Sequence, residues 1–259
     1  MGVDNGVYDR LGATWWDPAN PLVFLHSATA GRFSYFHDVL VGRLARSAGG
    51  LRALDIGCGG GFLAERFARS GCRVLGVDPS EVSVTTARRH AASEGLDIAY
   101  CVGVGERLPA GDACVDVAYC CDVLEHVANV DRVIAEIARV LKPGGVFFFD
   151  TLNRTWASKL VAIKIAQEWR PTRLVDFALH DWSMFITPAE LADALGRHGM
   201  HGGEVVGFGP RARPTAVFGG LIRLRAGRIS YGELGRVMKL GRVRNTWVSY
   251  MGFALKHPG

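Results

Sequence analysis

No run of this chain is long and apolar enough to cross a bilayer: the longest, such as Val146 to Phe149, are strand-sized, whereas a spanning helix needs roughly 20 residues. The opening residues Met1-Gly2-Val3-Asp4-Asn5 lack the basic-then-apolar order of a secretory leader, so the expected compartment is the cytoplasm. Cysteine chemistry is sparse too. Cys58, Cys72, Cys101, Cys114, Cys120 and Cys121 form no CxxC pair, and no histidine stands at structural-zinc spacing; in apolar, strand-like surroundings they read as reduced, buried small hydrophobes. There is no internal repeat or low-complexity tract, and the composition excludes collagen-like, mucin-like and disordered chains.

What is present is ample core material. The 259 residues are 49% hydrophobic and 21% charged, with a mean hydropathy of +0.14, enough for one large α/β domain. The formal charge of +5 is unevenly placed. Residues 211–244 hold nine basic residues and one acid, a net of +8, leaving 21 basic against 24 acidic elsewhere, a net of −3. The body is therefore mildly acidic and carries one arginine-rich appendage.

Residues 1–50 read as a helical cap, with an aromatic entry at Trp15-Trp16-Asp17-Pro18 and apolar residues at helical spacing from about Pro21 to Arg46. From residue 51 to 153, short β-branched runs alternate with helical segments. Strands are predicted at 51–56, 73–77, 98–102, 115–120 and 146–151, and helices at 62–70, 80–94 and 131–141. That alternation predicts a doubly wound, mostly parallel α/β sheet. Residues 154–186 read as an inserted lid or membrane-facing segment. A helix should start at Thr187-Pro188-Ala189-Glu190, an N-cap, a proline at N1 and a capping-box glutamate. The run 245–255 reads as a terminal strand closing the sheet, so that 187–259 supplies its C-terminal half.

The most informative stretch is Leu54-Asp55-Ile56-Gly57-Cys58-Gly59-Gly60-Gly61, a strand entering a glycine turn before a helix. Glycine lets a ligand approach the backbone. A dinucleotide fingerprint would carry a third glycine where Phe62 stands, and the carboxylate of Asp55 is awkward beside a pyrophosphate. It suits a cationic group. Asp78 closes the second strand, where a carboxylate can accept both ribose hydroxyls. A cationic amino acid joined to a nucleoside describes S-adenosylmethionine; read alone, the two aspartates serve equally as turn caps.

Further along, the chain resembles class I S-adenosylmethionine-dependent methyltransferases, through Asp55 to Gly61, Asp78, Gly105-Glu106-Arg107-Leu108-Pro109, Leu124-Glu125-His126-Val127 and Leu141-Lys142-Pro143-Gly144-Gly145. More narrowly it resembles the O-methyltransferases of ubiquinone biosynthesis. That match rests on Trp15-Trp16-Asp17, Leu25-His26, Thr151-Leu152-Asn153-Arg154, Phe185 to Leu191 and Tyr250-Met251. The resemblance implies a Rossmann-like, seven-stranded sheet and transfer of a methyl group to a phenol or catechol, such as a polyprenylated quinone precursor. It implies cofactor contacts at Arg32, Asp55, Gly57, Cys58, Gly59, Asp78, Glu106 and Cys121, with Arg32 pairing the methionine carboxylate. Val104 departs from the acidic residue that many superfamily members place near the adenine amine.

Asp122, Glu125 and His126 stand at i, i+3 and i+4, so in a helix they share one face. The resemblance implies that they hold a divalent metal, magnesium, with Asp122 standing where a glutamate is usual. His126 and Glu125 are the expected catalytic residues: either His126 takes the phenol proton, or a bound cation lowers the phenol's pKa.

Other pieces have two readings each. Trp15 and Trp16 either cover the acceptor or pack in the core, and packing is the better fit. His180-Asp181-Trp182 either lines the acceptor pocket or is a loop anchored by Trp182. The apolar stretch 159–166, edged by Lys159, Trp169 and Arg170, suits an anionic membrane surface or simply covers the sheet. Residues 211–244 have only Phe218 and Tyr231 as aromatics, so nucleic acid ranks below a membrane surface. Two alternatives stay open: a methyltransferase for another small aromatic, and an idle cofactor-binding scaffold in a lipid-biosynthesis complex.

Overall fold

The computed structural model describes residues 6–258; the opening Met1 to Asn5, read above for a leader, lie outside them. Five strands come first in the chain: β1 (Arg52–Ile56), β2 (Arg73–Asp78), β3 (Ala99–Val102), β4 (Val115–Cys121) and β5 (Leu141–Leu152). Each is parallel to its neighbours among these five. Then come β6 (Met200–Pro210), β7 (Leu240–Val243) and β8 (Ser249–Lys256), in one sheet of order β3-β2-β1-β4-β5-β8-β6-β7. Between β1 and β4 the order reverses, and the crevice outside the carboxyl ends of such strands is where α/β sheets bind ligands.

The helices are α1 (Val7–Leu11), α2 (Val23–His37), α3 (Phe62–Arg69), α4 (Glu81–Ser93), α5 (Val130–Val140), α6 (Trp156–Ser158), α7 (Pro188–Arg197), α8 (Pro214–Arg225) and α9 (Tyr231–Met238). Their starts follow local chemistry. Ser80 accepts from Ser83 N–H at 3.2 Å to open α4, Asn129 accepts from Arg132 N–H at 3.0 Å to open α5, and Thr187 forms the expected capping box with Glu190 at α7. The central strands bury both faces. One apolar layer packs Phe36, Phe67 and Tyr119 with Phe148, and the other packs Ile134 and Ile137 with Phe147 and Leu191.

Three expectations are corrected. The sheet has eight strands rather than seven: β7, from the arginine-rich segment, pairs with β6 through Gly207 to Pro210. Because β6 would otherwise be an edge with open backbone groups, a neighbouring segment that can pair is readily recruited. The terminal strand lies inside the sheet, antiparallel to both β5 and β6; its Tyr250 to Ala254 are all buried, as a central strand requires. The basic segment is no appendage, since α8 and α9 bury Leu221, Leu224, Leu234 and Met238 together. Strand β6 escaped notice because Gly202, Gly203, Gly207 and Gly209 interrupt its pattern and a bulge lies between Gly202 and Val205.

Candidate active site

A cavity of about 540 Å³ opens at the carboxyl ends of β1, β2 and β4. Arg32, Asp55, Gly57, Cys58, Gly59, Asp78, Glu106 and Cys121, all eight cofactor candidates, line it. Gly57, at φ +73°, brings backbone to the wall, and a Cβ there would lie 2.2 Å from Val123. Asp78 ties the turn down: its Oδ2 accepts from Gly59 N–H at 2.8 Å and its Oδ1 from Ser80 N–H at 2.9 Å. Asp55 is buried, with Oδ2 making no hydrogen bond among the described residues. Burial, and then the charge of Asp78, hold its carboxyl well above the usual range. A cation entering the cavity would restore the ionised form.

Arg32 does not point a free guanidinium at the cavity. Its Nη2 donates to Asp122 and its Nε to Asp150, a residue of β5 that is 1% exposed. Burial alone would lower the pKa of Arg32, but the two carboxylates outweigh it and raise it. Asp122 also donates its backbone N–H to Asp150 Oδ1 at 2.9 Å. Its φ of +54° places it in the left-handed region, which aspartate tolerates better than most side chains.

The expected common face of Asp122, Glu125 and His126 is not formed. The segment is a single 3₁₀ turn, Leu124–His126, entered through the left-handed bend at Asp122, and helical spacing does not apply across such a bend. Asp122 faces Arg32. Glu125 is 1% exposed; its Oε2 accepts from Thr151 Oγ1 at 2.7 Å, and its Oε1 has no hydrogen-bond partner among the described residues. Burial, and then Asp122, push its carboxyl up. His126 lines the cavity, where burial pushes it down to about 4, so it is neutral at physiological pH.

His180 completes a different trio. Donor atoms of Glu125, His126 and His180 all lie within 4.8 Å of one another, and the two rings are 5.2 Å apart. The inserted segment delivers His180 through Gln167, whose Oε1 accepts from Leu179 N–H at 2.9 Å and His180 N–H at 2.7 Å. Trp182 anchors the same loop by donating to the Thr155 carbonyl at 2.9 Å, as the second reading of His180-Asp181-Trp182 has it, and none of the three lines the cavity that holds the cofactor candidates. Tyr8 and Asp9 of α1 also line the cavity, with Tyr8 edge-on to His126 at 6.1 Å. No motif marks them, because they arrive from a segment placed only by tertiary contacts.

A methyltransferase domain family profile matches residues 54–149. The ubiquinone biosynthesis O-methyltransferase of Azorhizobium caulinodans is 38% identical over 210 residues, covering 78% of this chain and 81% of that protein. The protein of the same name from Caulobacter vibrioides is 39% identical over 191 residues, covering 71% and 75%. This chain belongs to the ubiquinone biosynthesis O-methyltransferase family. It is accordingly an S-adenosylmethionine-dependent O-methyltransferase. Solved structures agree on the fold of this O-methyltransferase. A magnesium protoporphyrin IX methyltransferase from Synechocystis, crystallised with S-adenosylhomocysteine, aligns with a TM-score of 0.57 at 18% identity over 89% of this chain and 85% of that one. The [4+2]-cyclase SpnF aligns with a TM-score of 0.57 at 22% identity over 87% and 81%. Among the described residues, no helix of this O-methyltransferase is long and apolar enough to cross a membrane.

Proposed function

We propose that this O-methyltransferase moves the sulfonium methyl of S-adenosylmethionine onto a phenolic hydroxyl of a polyprenylated quinone precursor. The observation that carries the reading is the meeting of two environments in one cavity: carboxylates around a glycine turn, and a neutral histidine beyond β4. Asp55 suits the cationic amino-acid end of the cofactor, Asp78 its ribose, and Glu106 the adenine side. Cys58 and Cys121 supply wall and backbone. Arg32 acts by holding Asp122 and Asp150 beside the methionine end, with Nη1 as the nitrogen outside those two bonds.

The chemistry is a displacement. The phenol oxygen attacks the methyl carbon as the carbon–sulfur bond breaks, its electron pair stays on sulfur as a thioether, and the phenol proton must leave. Neutral His126 is in the form that accepts a proton, and nearby Asp122 favours the imidazolium so formed. Holding oxygen, carbon and sulfur in line is the remaining contribution of the cavity walls.

A divalent cation fits Glu125, His126 and His180, because Glu125 Oε1 is a buried acceptor with no hydrogen-bond partner among the described residues. One carboxylate and two imidazoles suit an ion such as zinc or manganese better than magnesium, which prefers all-oxygen sets. When bound, such an ion would take up the His126 lone pair and would lower the pKa of the phenol in place of the histidine base.

The inserted segment and α8 support contact with a membrane that stores a greasy acceptor. Trp156, Leu160, Trp169, Phe218 and Ile222 stand exposed, Trp169 and Phe218 lie 5.8 Å apart, and α8 ends on Arg223 and Arg225. The test is methyl transfer from labelled cofactor to catechols with and without a polyprenyl tail, in the presence of anionic vesicles. Turnover confined to tail-less acceptors would overturn the quinone reading.

A further inference from the structure

Apart from Cys58, the turn Gly57 to Gly61 has no side chain with which to anchor itself. Behind it, the Gly60 carbonyl accepts from Trp16 Nε1 at 3.0 Å. Trp16 is itself held. His90 of α4 stacks on its ring with centroids 3.4 Å apart and planes within 3°, and Phe62 meets it edge-on at 4.5 Å. His90 Nδ1 in turn lies 2.6 Å from Oε1 of Glu65 on α3. Glu65 is only 5% exposed. A buried carboxylate is costly unless paired, so an apolar residue would have served simple packing better. Neither Glu65 nor His90 lines the cavity.

We propose that His90 is a positioning residue for the cofactor turn, acting through Trp16. The chain Glu65, His90, Trp16, Gly60 fixes the carbonyl of Gly60 and with it the backbone of Gly57 to Gly61. The inference rests on the reading of the cavity as the cofactor site. Groups facing His90 are Glu65 from α3, backed by Arg69 at 3.7 Å, His26 from α2, and Trp16. The imidazole is thus held between the Glu65 carboxylate and the indole face, which fixes the ring of Trp16 against the turn.

The test uses the full chain, S-adenosylhomocysteine and calorimetry on wild type, His90→Gln, Trp16→Phe and the double variant. Each single change should raise Kd by about 5- to 30-fold, the range of one or two lost hydrogen bonds. The KM for S-adenosylmethionine should rise in step, with a smaller change in kcat at saturation. The double variant should lose no more than the worse single, since both act on one chain of contacts. Trp16 emission, taken as wild type minus Trp16→Phe, should shift in His90→Gln as the indole loses its stacked partner. Should His90→Gln melt far below wild type, Glu65→Gln carries the same test, keeping an acceptor for His90 while removing the carboxylate that holds it. Additive losses, a wild-type Kd in either single variant, or Trp16 emission unchanged in both His90→Gln and Glu65→Gln would overturn the proposal. A wild-type chain that does not bind S-adenosylhomocysteine would instead overturn the reading of the cavity.

Discussion

Gly59 donates its backbone N–H to Asp78 Oδ2 at 2.8 Å, so the residue closing the second strand holds the turn that follows the first. Asp78 thus anchors the turn from the wall of the same cavity. Asp78→Ala should weaken S-adenosylhomocysteine binding by about 10- to 100-fold, the range for losing one hydrogen bond to a charged group. Asp78→Asn, which can keep one acceptor oxygen, should lose less. Calorimetry on the two variants checks the order; equal binding by both would contradict it.

His126→Ala should lower kcat by about 10²- to 10⁴-fold, as for a lost general base, while Kd for S-adenosylhomocysteine shifts by less than about fivefold. Equal collapse of binding and turnover would mark His126 as structural.

Arg32 is buried between Asp122 and Asp150. Removing the cation leaves two buried or half-buried carboxylates without it, so Arg32→Met should destabilise the fold by about 3–5 kcal/mol. Adding Asp150→Asn should recover part of that. Arg32→Lys should restore less than full stability, because an ammonium cannot match the two-pronged contact. Urea melts of the three variants give the comparison, and an Arg32→Met chain as stable as wild type would refute it.

Asp55 carries a pH signature. Its folded pKa lies above its unfolded value because burial disfavours the charge. Its contribution to stability is therefore complete below the ordinary carboxylate range and is lost as pH rises through the raised value. The melting temperature of the cofactor-free protein should fall across that window, and Asp55→Asn should flatten the curve. Affinity for the cationic cofactor should move the other way, rising as Asp55 ionises. Identical pH profiles for wild type and Asp55→Asn would exclude the carboxylate from both roles.

Much of the scaffold was legible because it is local. The strand-turn-helix at Leu54 to Phe62, the caps at Ser80 and Thr187, and the alternation through Leu152 are written in neighbouring residues, where hydrophobic period and cap chemistry act within a few positions. Asp55, Gly57, Gly59 and Asp78 follow from the same cause, since they sit at strand ends and in the turn and meet at the switch point of a parallel sheet, whereas Arg32, Cys58, Glu106 and Cys121 came only through the family resemblance. The acceptor end was not legible in this way. Spacing put Asp122 with Glu125 and His126, yet one left-handed residue redirected Asp122 to Arg32, 90 positions earlier.

By itself the sequence determined the α/β class, the glycine turn with its two aspartates, and the arginine-rich segment. Tertiary structure alone decided that Arg32 serves two carboxylates, that His180 joins Glu125 and His126, and that the arginine-rich segment folds into two helices and a sheet edge. The physical reason is separation. Hydrogen bonds and ion pairs between residues some 25 to 118 positions apart depend on where whole elements pack, and no local pattern of residue types encodes that.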